Sequence, residues 1–369
     1  MAFIDDLLHK PSYGWKDENG NLIVPSSKQL WSEAFSRMNI FKTKKNWISL
    51  ASGFMALCLV PFLFFFLFHF FSWWLVAVIV VYSMMIMGTH GTIWFHRYCT
   101  HKSYTFSNPV WRFITQNLVV KTLPEEIYVV SHHVHHSKSD FPGDPYNPQA
   151  GFLYCMLAEL NHQRVSPDLH ESDYKKVIHF MKHTGVQLNS YVQYQKWGSV
   201  ASPFYTIGMW ALNWSFWYII FFFIGGHALA CALFTAALLW FVLIRAFNYT
   251  GHGGGHAKHK DGIDFDRRNL SINQTRPGLL AGEWHNNHHL YPGSARAGFL
   301  PSQIDLAWIY IWVLHKLKMV RSYKDSKKEF LKKYIEKGHS RDMIPLYGEA
   351  YHRKHLAKIA SSKDDILRE

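Results

Sequence analysis

Two long stretches of the chain, at residues 46–95 and 197–244, contain no Asp, Glu, Lys or Arg. Each stretch is about twice the ~20 residues that span a bilayer as a helix. Because a single helix of that length would overshoot the hydrocarbon layer, each stretch predicts a helical hairpin. The Ser-Trp-Trp segment at 72–74 predicts the turn of the first hairpin, and the Gly-Gly pair at 225–226 predicts the turn of the second. The pattern therefore predicts an all-α integral membrane protein with four transmembrane helices.

The charges that flank these hairpins predict how the protein lies in the membrane. Cytoplasmic flanks of membrane spans are enriched in Lys and Arg, and basic residues precede and follow both hairpins. Two hairpins also return the chain to its starting side, so we expect both termini and the site to be cytosolic. The flanking basic residues are Lys42, Lys44, Lys45, Arg97, Lys102, Lys196 and Arg245.

The segments outside the hairpins form a helical cytosolic cap in this interpretation. Four prolines, at positions 124, 142, 145 and 148, break the first cap segment into short helices. The tail from Lys316 onward is rich in Lys and Glu and predicts a solvated helix. The predicted segments are an N-terminal arm at 1–45, the first hairpin at 46–95, the first cap segment at 96–196, the second hairpin at 197–247, and the second cap segment with the basic tail at 248–369.

Composition narrows the chemistry and the compartment. The four cysteines have no CxxC spacing, which indicates neither a disulfide framework nor a zinc ribbon and fits a reducing compartment. The first apolar run is too long for a cleaved signal sequence. The formal net charge of +13 belongs to a membrane protein, so we expect no nucleic-acid partner. It favours contact with anionic lipid head groups, and it would attract an anionic substrate carrier or an acidic electron donor.

Histidines form the chemical signal in this sequence. Imidazole is the commonest protein metal ligand and binds as the neutral base. Three tight groups and one isolated histidine lie near the ends of the apolar runs. They are His96 and His101 in HRYCTH, His132, His135 and His136 in HHVHH, His252 in NYTGH, and His285, His288 and His289 in HNNHH. Nine imidazoles are too many for one four-coordinate ion, so they indicate two metals held close together.

The spacing within each group predicts its geometry. Positions i, i+3 and i+4 share one face of a helix, which is the spacing in both HHVHH and HNNHH. In HHVHH the comparison favours His132 over the neighbouring His133 as a ligand. His96 and His101 are five residues apart and do not share a face of a regular helix. They would converge only where the helix ends or distorts.

Carboxylates near these groups are candidates to orient the imidazoles and fix their tautomers. By sequence the nearest are Asp140, Asp144 and Glu283. The metal itself cannot be identified from histidine alone, because Zn²⁺ and Cu²⁺ bind nitrogen ligands at least as tightly as Fe²⁺.

The motifs HRYCTH, HHVHH followed by DPYN, NYTGH, and GEWHNNHHLYP followed by SAR resemble those of the membrane-bound acyl-CoA and acyl-lipid desaturases of the stearoyl-CoA type. The resemblance runs from the first hairpin to about residue 315. It implies a cone of four transmembrane helices under a helical cap, and a bent tunnel for the acyl chain beside the metals. It also implies that the nine histidines hold two iron ions, and that Asn248 contacts one iron through water.

The resemblance further implies the reaction and its partners. O₂ and two electrons would convert an acyl chain, carried on CoA, a carrier protein or a lipid, to its cis-unsaturated form with release of water. No GxGxxG after a strand and no cytochrome b5-like HPGG segment is present in the sequence. We therefore expect a separate electron donor such as ferredoxin, rubredoxin or cytochrome b5.

The chain also departs from the family pattern in three places. Tyr128 and Ser131 stand where Trp and Asp are common before the second histidine group, and Arg245 stands where Trp is common before Asn248. These departures leave open the acyl carrier, the chain length and the position of the double bond. They leave the metal ligands intact.

Two other functions are consistent with the same histidines. A di-iron membrane hydroxylase of alkanes or fatty acids would share the metals and topology but would yield an alcohol instead of an alkene. A metal transporter or a haem membrane protein belongs to a different class. Transport would need ligands at mid-bilayer, whereas these groups lie near the ends of the apolar runs, and haem would use only two of the histidines.

Overall fold

The computed structural model describes residues 3–161, 165–252, 254, 284–299 and 303–336. Glu283 and most of the C-terminal tail lie outside the described residues. The helices are α1 Ser27–Met38, α2 Trp47–His69, α3 Trp73–Thr100, α4 Pro109–Gln116, α5 Glu125–Lys138, α6 Phe152–Met156, α7 Ala158–Asn161, α8 Glu171–Met181, α9 Tyr191–Trp197, α10 Pro203–Thr250, α11 His285–Leu290, α12 Leu306–Lys316 and α13 Lys327–Glu336.

Three helices among the described residues are long and apolar enough to cross a membrane. They are α2 with its leading turn (Lys44–His69), α3 (Trp73–Thr100) and α10 (Pro203–Thr250). Between α2 and α3, the Ser72 side chain accepts a hydrogen bond from Leu75 N at 3.3 Å and begins the new helix. The chain therefore breaks between two helices at the position where the sequence predicted a turn.

The 48-residue α10 folds back on itself at the predicted Gly-Gly turn. Gly225 and Gly226 have non-helical backbone angles, and Gly226 has φ 67°, which favours glycine. In one continuous helix Trp214 and Phe234 would stand about 30 Å apart, yet their ring centroids are 5.6 Å apart. The two arms of α10 thus lie side by side.

The apolar arms pack into a common core with α2 and α3. Phe62 of α2 lies 4.5 Å from Phe234 between ring centroids. Gly91 of α3 approaches the second arm of α10 so closely that a Cβ there would lie 2.6 Å from the Trp240 ring. Glycine at 91 therefore sets the distance between α3 and α10.

Helix α3 is regular only over some of its length. It is α-helical at Trp73–Val81, π-helical at Tyr82–Met87, briefly α-helical at Gly88–His90 and π-helical again at Gly91–Thr100. π-helical turns are rare and occur often at functional sites. The second π-segment contains most of the first histidine motif.

A small antiparallel sheet is the one departure from the predicted all-α class within the described residues. Strand β1, Tyr104–Phe106, pairs with β2, Val320–Tyr323. Strands this short carry too little alternation to be recognised, and their partners are more than 200 residues apart in sequence. The pairing ties the start of the tail, which we predicted to be helical from Lys316, back onto the first cap segment.

Two of the flanking basic residues prove to be buried. Arg97 is 2% exposed and pairs with Asp305, and Arg245 is 6% exposed and pairs with Glu159. Both side chains are therefore paired inside the protein and are not exposed charges at a membrane surface. Their position relative to the membrane stays a prediction, for which the flanking lysines are the stronger argument.

Candidate metal centre

All nine predicted histidines converge in two adjacent clusters. In each cluster the ligand atoms lie within 4.8 Å of one another. The first cluster contains His96, His101, His132, His136 and His288, and the second contains His135, His252, His285 and His289. The clusters touch, since the ring centroids of His136 and His289 are only 4.3 Å apart. Each group could hold one metal ion.

Helices α5 and α11 each provide histidines to both clusters. The helix that gives two histidines to the first cluster gives one to the second, and the other helix does the reverse. In α5, His132 and His136 belong to the first cluster and His135 to the second. In α11 the i+3 residue, His288, joins the first cluster, while the other two histidines of the helix join the second. A single helix face thus spans two sites, which the spacing alone did not reveal.

The π-segment of α3 explains how His96 and His101 meet. A π-turn closes an i→i+5 hydrogen bond, and His101 N donates to His96 O at 3.1 Å. Residues five apart therefore lie one turn apart, and the two rings come to 5.0 Å between centroids. The distortion that the sequence required is thus present.

Several ring nitrogens in the clusters lie closer together than hydrogen bonds between the rings can explain. Nε2 of His288 lies 2.8 Å from Nε2 of His96 and 3.0 Å from Nε2 of His136. One ring nitrogen cannot donate its single hydrogen to both. In the second cluster Nε2 of His285 and Nε2 of His252 are 2.9 Å apart, and the buried Nε2 of His101 has no hydrogen-bond partner among the described residues. Converging lone pairs of this kind fit a bound metal ion.

Burial keeps the clustered imidazoles in the form that metals bind. Loss of hydration is the largest cause that holds the pKa of these rings well below the usual histidine value, and neighbouring histidines lower it further. The effect applies to His101, His132, His136, His285, His288 and His289. The lowered pKa favours the neutral form of these rings over the charged form.

Two of the predicted orienting carboxylates lie at the second cluster. Oδ1 of Asp144 accepts a hydrogen bond from His135 Nδ1 at 2.9 Å, which directs Nε2 of that ring into the cluster. Asp144 also accepts from the backbone N–H groups of Asp140 and Tyr146. Oδ1 of Asp140 lies 3.3 Å from His252 Nδ1. The third candidate, Glu283, lies outside the described residues.

The backbone is strained just after the second histidine group and just before the third. Asp140 has φ 67° and Trp284 has φ 56°, values that non-glycine residues rarely adopt. Trp284 immediately precedes α11, is 1% exposed, and donates Nε1–H to Ile304 O at 2.8 Å. Such strain persists only where surrounding contacts impose it, and here it fixes the direction in which α11 starts.

Sequence reasoning missed the residues that lock these segments together. Arg97 donates to both carboxylate oxygens of Asp305 at 2.9 Å and to Ala295 O at 2.6 Å. Asn287 donates to Ala297 O at 2.8 Å and to Gln303 Oε1 at 3.0 Å. These bonds tie the first histidine group to the segment that follows the third. The only sequence signal was a charged residue inside HRYCTH.

A cavity lies against the clusters. Its lining includes His96, His132, His135, His252 and His285, together with Tyr128, Tyr146, Ile244, Phe247 and Asn248. Asn248 is one helical turn before His252, so both side chains reach the same side of α10. An apolar and aromatic wall therefore lies directly beside the histidines.

The architecture defines a class of protein: helices of membrane-spanning length that carry two adjacent histidine clusters able to hold metal ions. Comparison with known proteins agrees, since a family model described as fatty acid desaturase matches residues 71–298, more than half of the chain. The chain therefore belongs to the fatty acid desaturase family and is an oxidoreductase.

Individual relatives extend the comparison. The chain is 27% identical over 267 residues to an sn-1 stearoyl-lipid 9-desaturase of Synechocystis sp., covering 70% of this chain and 74% of the relative. It is 28% identical over 319 residues to an acyl-CoA 5-desaturase of Anemone leveillei, covering 81% and 84%. It is 26% identical over 258 residues to an acyl-CoA Delta-9 desaturase of Acheta domesticus, covering 64% and 65%.

Proposed function

We propose that the protein is an O₂-dependent di-iron desaturase that introduces a cis double bond into a fatty acyl chain. The observation that carries the proposal is the meeting of five and four histidines in two touching clusters. In this proposal each cluster holds one iron ion, and Asn248 completes the second site through water. One saturated acyl chain, O₂, two electrons and two protons would give the unsaturated chain and two water molecules.

The oxidation itself would be supplied by bound iron and O₂, because no side chain can deprotonate an unactivated methylene carbon. The residues of the chain supply position and exclusion of water. Tyr128, Ile244 and Phe247 line the cavity beside the histidines and would hold two neighbouring methylene groups there. Asp144 keeps the proton of His135 on Nδ1 and so leaves Nε2 available to a metal.

The same proposal includes four membrane spans, with α2, α3 and the two arms of α10 in the bilayer. The folding back of α10 at Gly225 and Gly226 supports it. Flanking lysines support a cytosolic position for both termini, the segments 1–45, 96–196 and 248–369, and the metal centre. A protease-accessible tag found on the outer side at the C-terminus would overturn this topology.

The partners follow from the chemistry. Electrons would come from a separate carrier such as ferredoxin, rubredoxin or cytochrome b5, docking on the basic cytosolic face. The acyl chain would arrive on CoA, on a carrier protein or in a membrane lipid. The names of the relatives include both acyl-CoA and acyl-lipid desaturases.

Lipid profiling of cells that express the chain tests the function, with His135→Ala as the inactive variant and His133→Ala as its matched control. His133 is on the same helix, but its ring stacks on Phe180 at 4.1 Å between centroids and belongs to neither cluster. We expect a new unsaturated acyl species with the wild type and the His133 variant only. A hydroxylated product would instead identify a hydroxylase, and active purified protein without iron would refute the metal assignment.

A further inference from the structure

A large apolar groove lies on the side of the molecule formed by α1, α2 and the second arm of α10. Its volume is about 950 Å³, at the upper end of the ~300–1,000 Å³ that ligand pockets occupy. The side chains that form it include Trp31, Phe35, Met38, Phe41, Phe54, Leu57, Leu160, Phe241 and Arg245. Among the described residues that line it, Arg245 alone is charged.

The groove faces the part of the molecule that the bilayer would surround. Phe54 and Leu57 belong to the membrane-length helix α2 and are 61% and 67% exposed. Above them, α1 presents Trp31 and Phe35, which are 44% and 64% exposed and stack on each other. Exposed apolar surface of this extent marks a binding or membrane-contact site, and aromatic residues on an amphipathic helix are typical of the interface.

The rim of the groove is basic. Phe41, which is 97% exposed, is followed by the exposed Lys42 and, after one residue, by the exposed Lys44. An anionic phosphate beside these lysines would lie above an acyl chain in the groove. This combination suits a glycerophospholipid. A glycerophospholipid already lies in the bilayer beside the exposed Phe54 and Leu57, whereas a CoA thioester would have to bring its acyl chain to the same groove from water.

The groove and the cavity beside the histidines are lined by neighbouring residues of α10. Phe241, Arg245 and Asn248 follow each other at about one-turn spacing, the first two in the groove and the last in the cavity beside the histidines. Arg245 stacks over the Phe241 ring at 3.3 Å and pairs with Glu159. Residues within one helical turn of α10 therefore line both the groove and the cavity.

We propose that the groove admits one acyl chain of a membrane glycerophospholipid as the substrate. The inference rests on the proposed function and names its substrate class as acyl-lipid.

Binding is tested first on metal-free protein in nanodiscs, with a phosphatidylglycerol that carries a diazirine on one acyl chain. We expect the label on peptides that contain Phe54, Leu57 or Phe241. Leu57→Trp fills the groove and should lower labelling about tenfold or more. Leu67→Trp makes the same change on the same helix at an exposed position that does not line the groove, and should leave labelling unchanged. Labelling elsewhere, or equal labelling of both variants, overturns the proposal.

Turnover is tested next with iron-loaded protein, a chemical reductant and either distearoyl phosphatidylglycerol nanodiscs or stearoyl-CoA in detergent. We expect desaturated phospholipid with the wild type and with Leu67→Trp, and a loss of about tenfold with Leu57→Trp. Desaturation of the CoA ester alone would overturn the substrate class but leave the proposed function standing. Labelled lipid that is never desaturated, beside active turnover of the CoA ester, would identify a structural lipid and also overturn it. No desaturation of either substrate would count against the proposed function itself.

Discussion

The substitution Asp144→Asn tests whether the two histidine clusters act as separate metal sites. The Asp144 carboxylate is fully buried and accepts three hydrogen bonds, from His135 Nδ1 and from the backbone N–H groups of Asp140 and Tyr146. An amide of the same shape has only one acceptor oxygen. Its NH₂ group must therefore face at least one of these three donors.

The expected loss follows from what those bonds do. Removing a carboxylate that orients a ligating histidine lowers metal affinity about 10–100-fold, which equals ~1.4–2.8 kcal/mol. The loss should fall on the cluster of His135, His252, His285 and His289. The five-histidine cluster does not contact Asp144 through any of these bonds, so its affinity should stay close to that of the wild type.

Stepwise iron titration against a competing chelator measures the two affinities, and Asp168→Asn is the matched control. Asp168 makes an exposed ion pair with Lys45 at 3.4 Å, far in sequence from the histidine groups, and its loss should change neither site. The reasoning is refuted if Asp144→Asn binds both metals as tightly as the wild type, or if only the five-histidine cluster is weakened.

Three further predictions concern stability. Arg97→Met leaves the buried Asp305 without its charged partner but with three backbone N–H donors, so it should lower the free energy of unfolding by about 3 kcal/mol, seen as a lower melting temperature in detergent. An unchanged melting temperature would contradict the buried-pair assignment. Gly91→Ala should cost about 1–3 kcal/mol by overpacking against Trp240, and Trp240→Phe in the same chain should restore part of the loss; additive losses would argue against that contact. Metal-free protein should lose stability as pH falls from 7 to 5. The pKa of rings such as His101 and His136 is lowered in the folded state, so the unfolded chain takes up protons first. Melting curves across that range check the sign, and greater stability at pH 5 would contradict the prediction.

Local spacing was enough to predict which histidines converge, but not how they divide between the two clusters. The i, i+3, i+4 pattern depends only on the geometry of one helix, so the sequence was sufficient to apply it to α5 and α11. Which residue serves which cluster depends on the angle between these helices. That angle is set in part by Asp305, Asn287 and the strained Trp284. None of these residues belongs to a local sequence pattern from which its contacts could be predicted.

The buried ion pairs show most clearly what could not be predicted from the sequence. A basic residue at the end of an apolar run is typical of a membrane flank, and the sequence predicted that role for Arg97 and Arg245. Their acidic partners lie 208 residues downstream and 86 residues upstream in sequence, beyond any window in which charge patterning can be recognised. The short β1–β2 sheet was not predicted for the same reason, because each strand is stabilised by a strand distant in sequence and not by local propensity.

The opposite division of α5 and α11 between the clusters has a structural consequence. Each helix supplies two ligands to one cluster and one ligand to the other, so neither cluster can form until both helices are in place. Helix α11 has only six residues and is too short to be stable alone. Its position therefore depends on the Trp284 and Asn287 contacts and on the Arg97–Asp305 lock, which joins it to the π-helical end of α3. Long-range contacts thus bring the two histidine clusters together, while the histidine spacing only ensures that the right atoms are present when the segments meet.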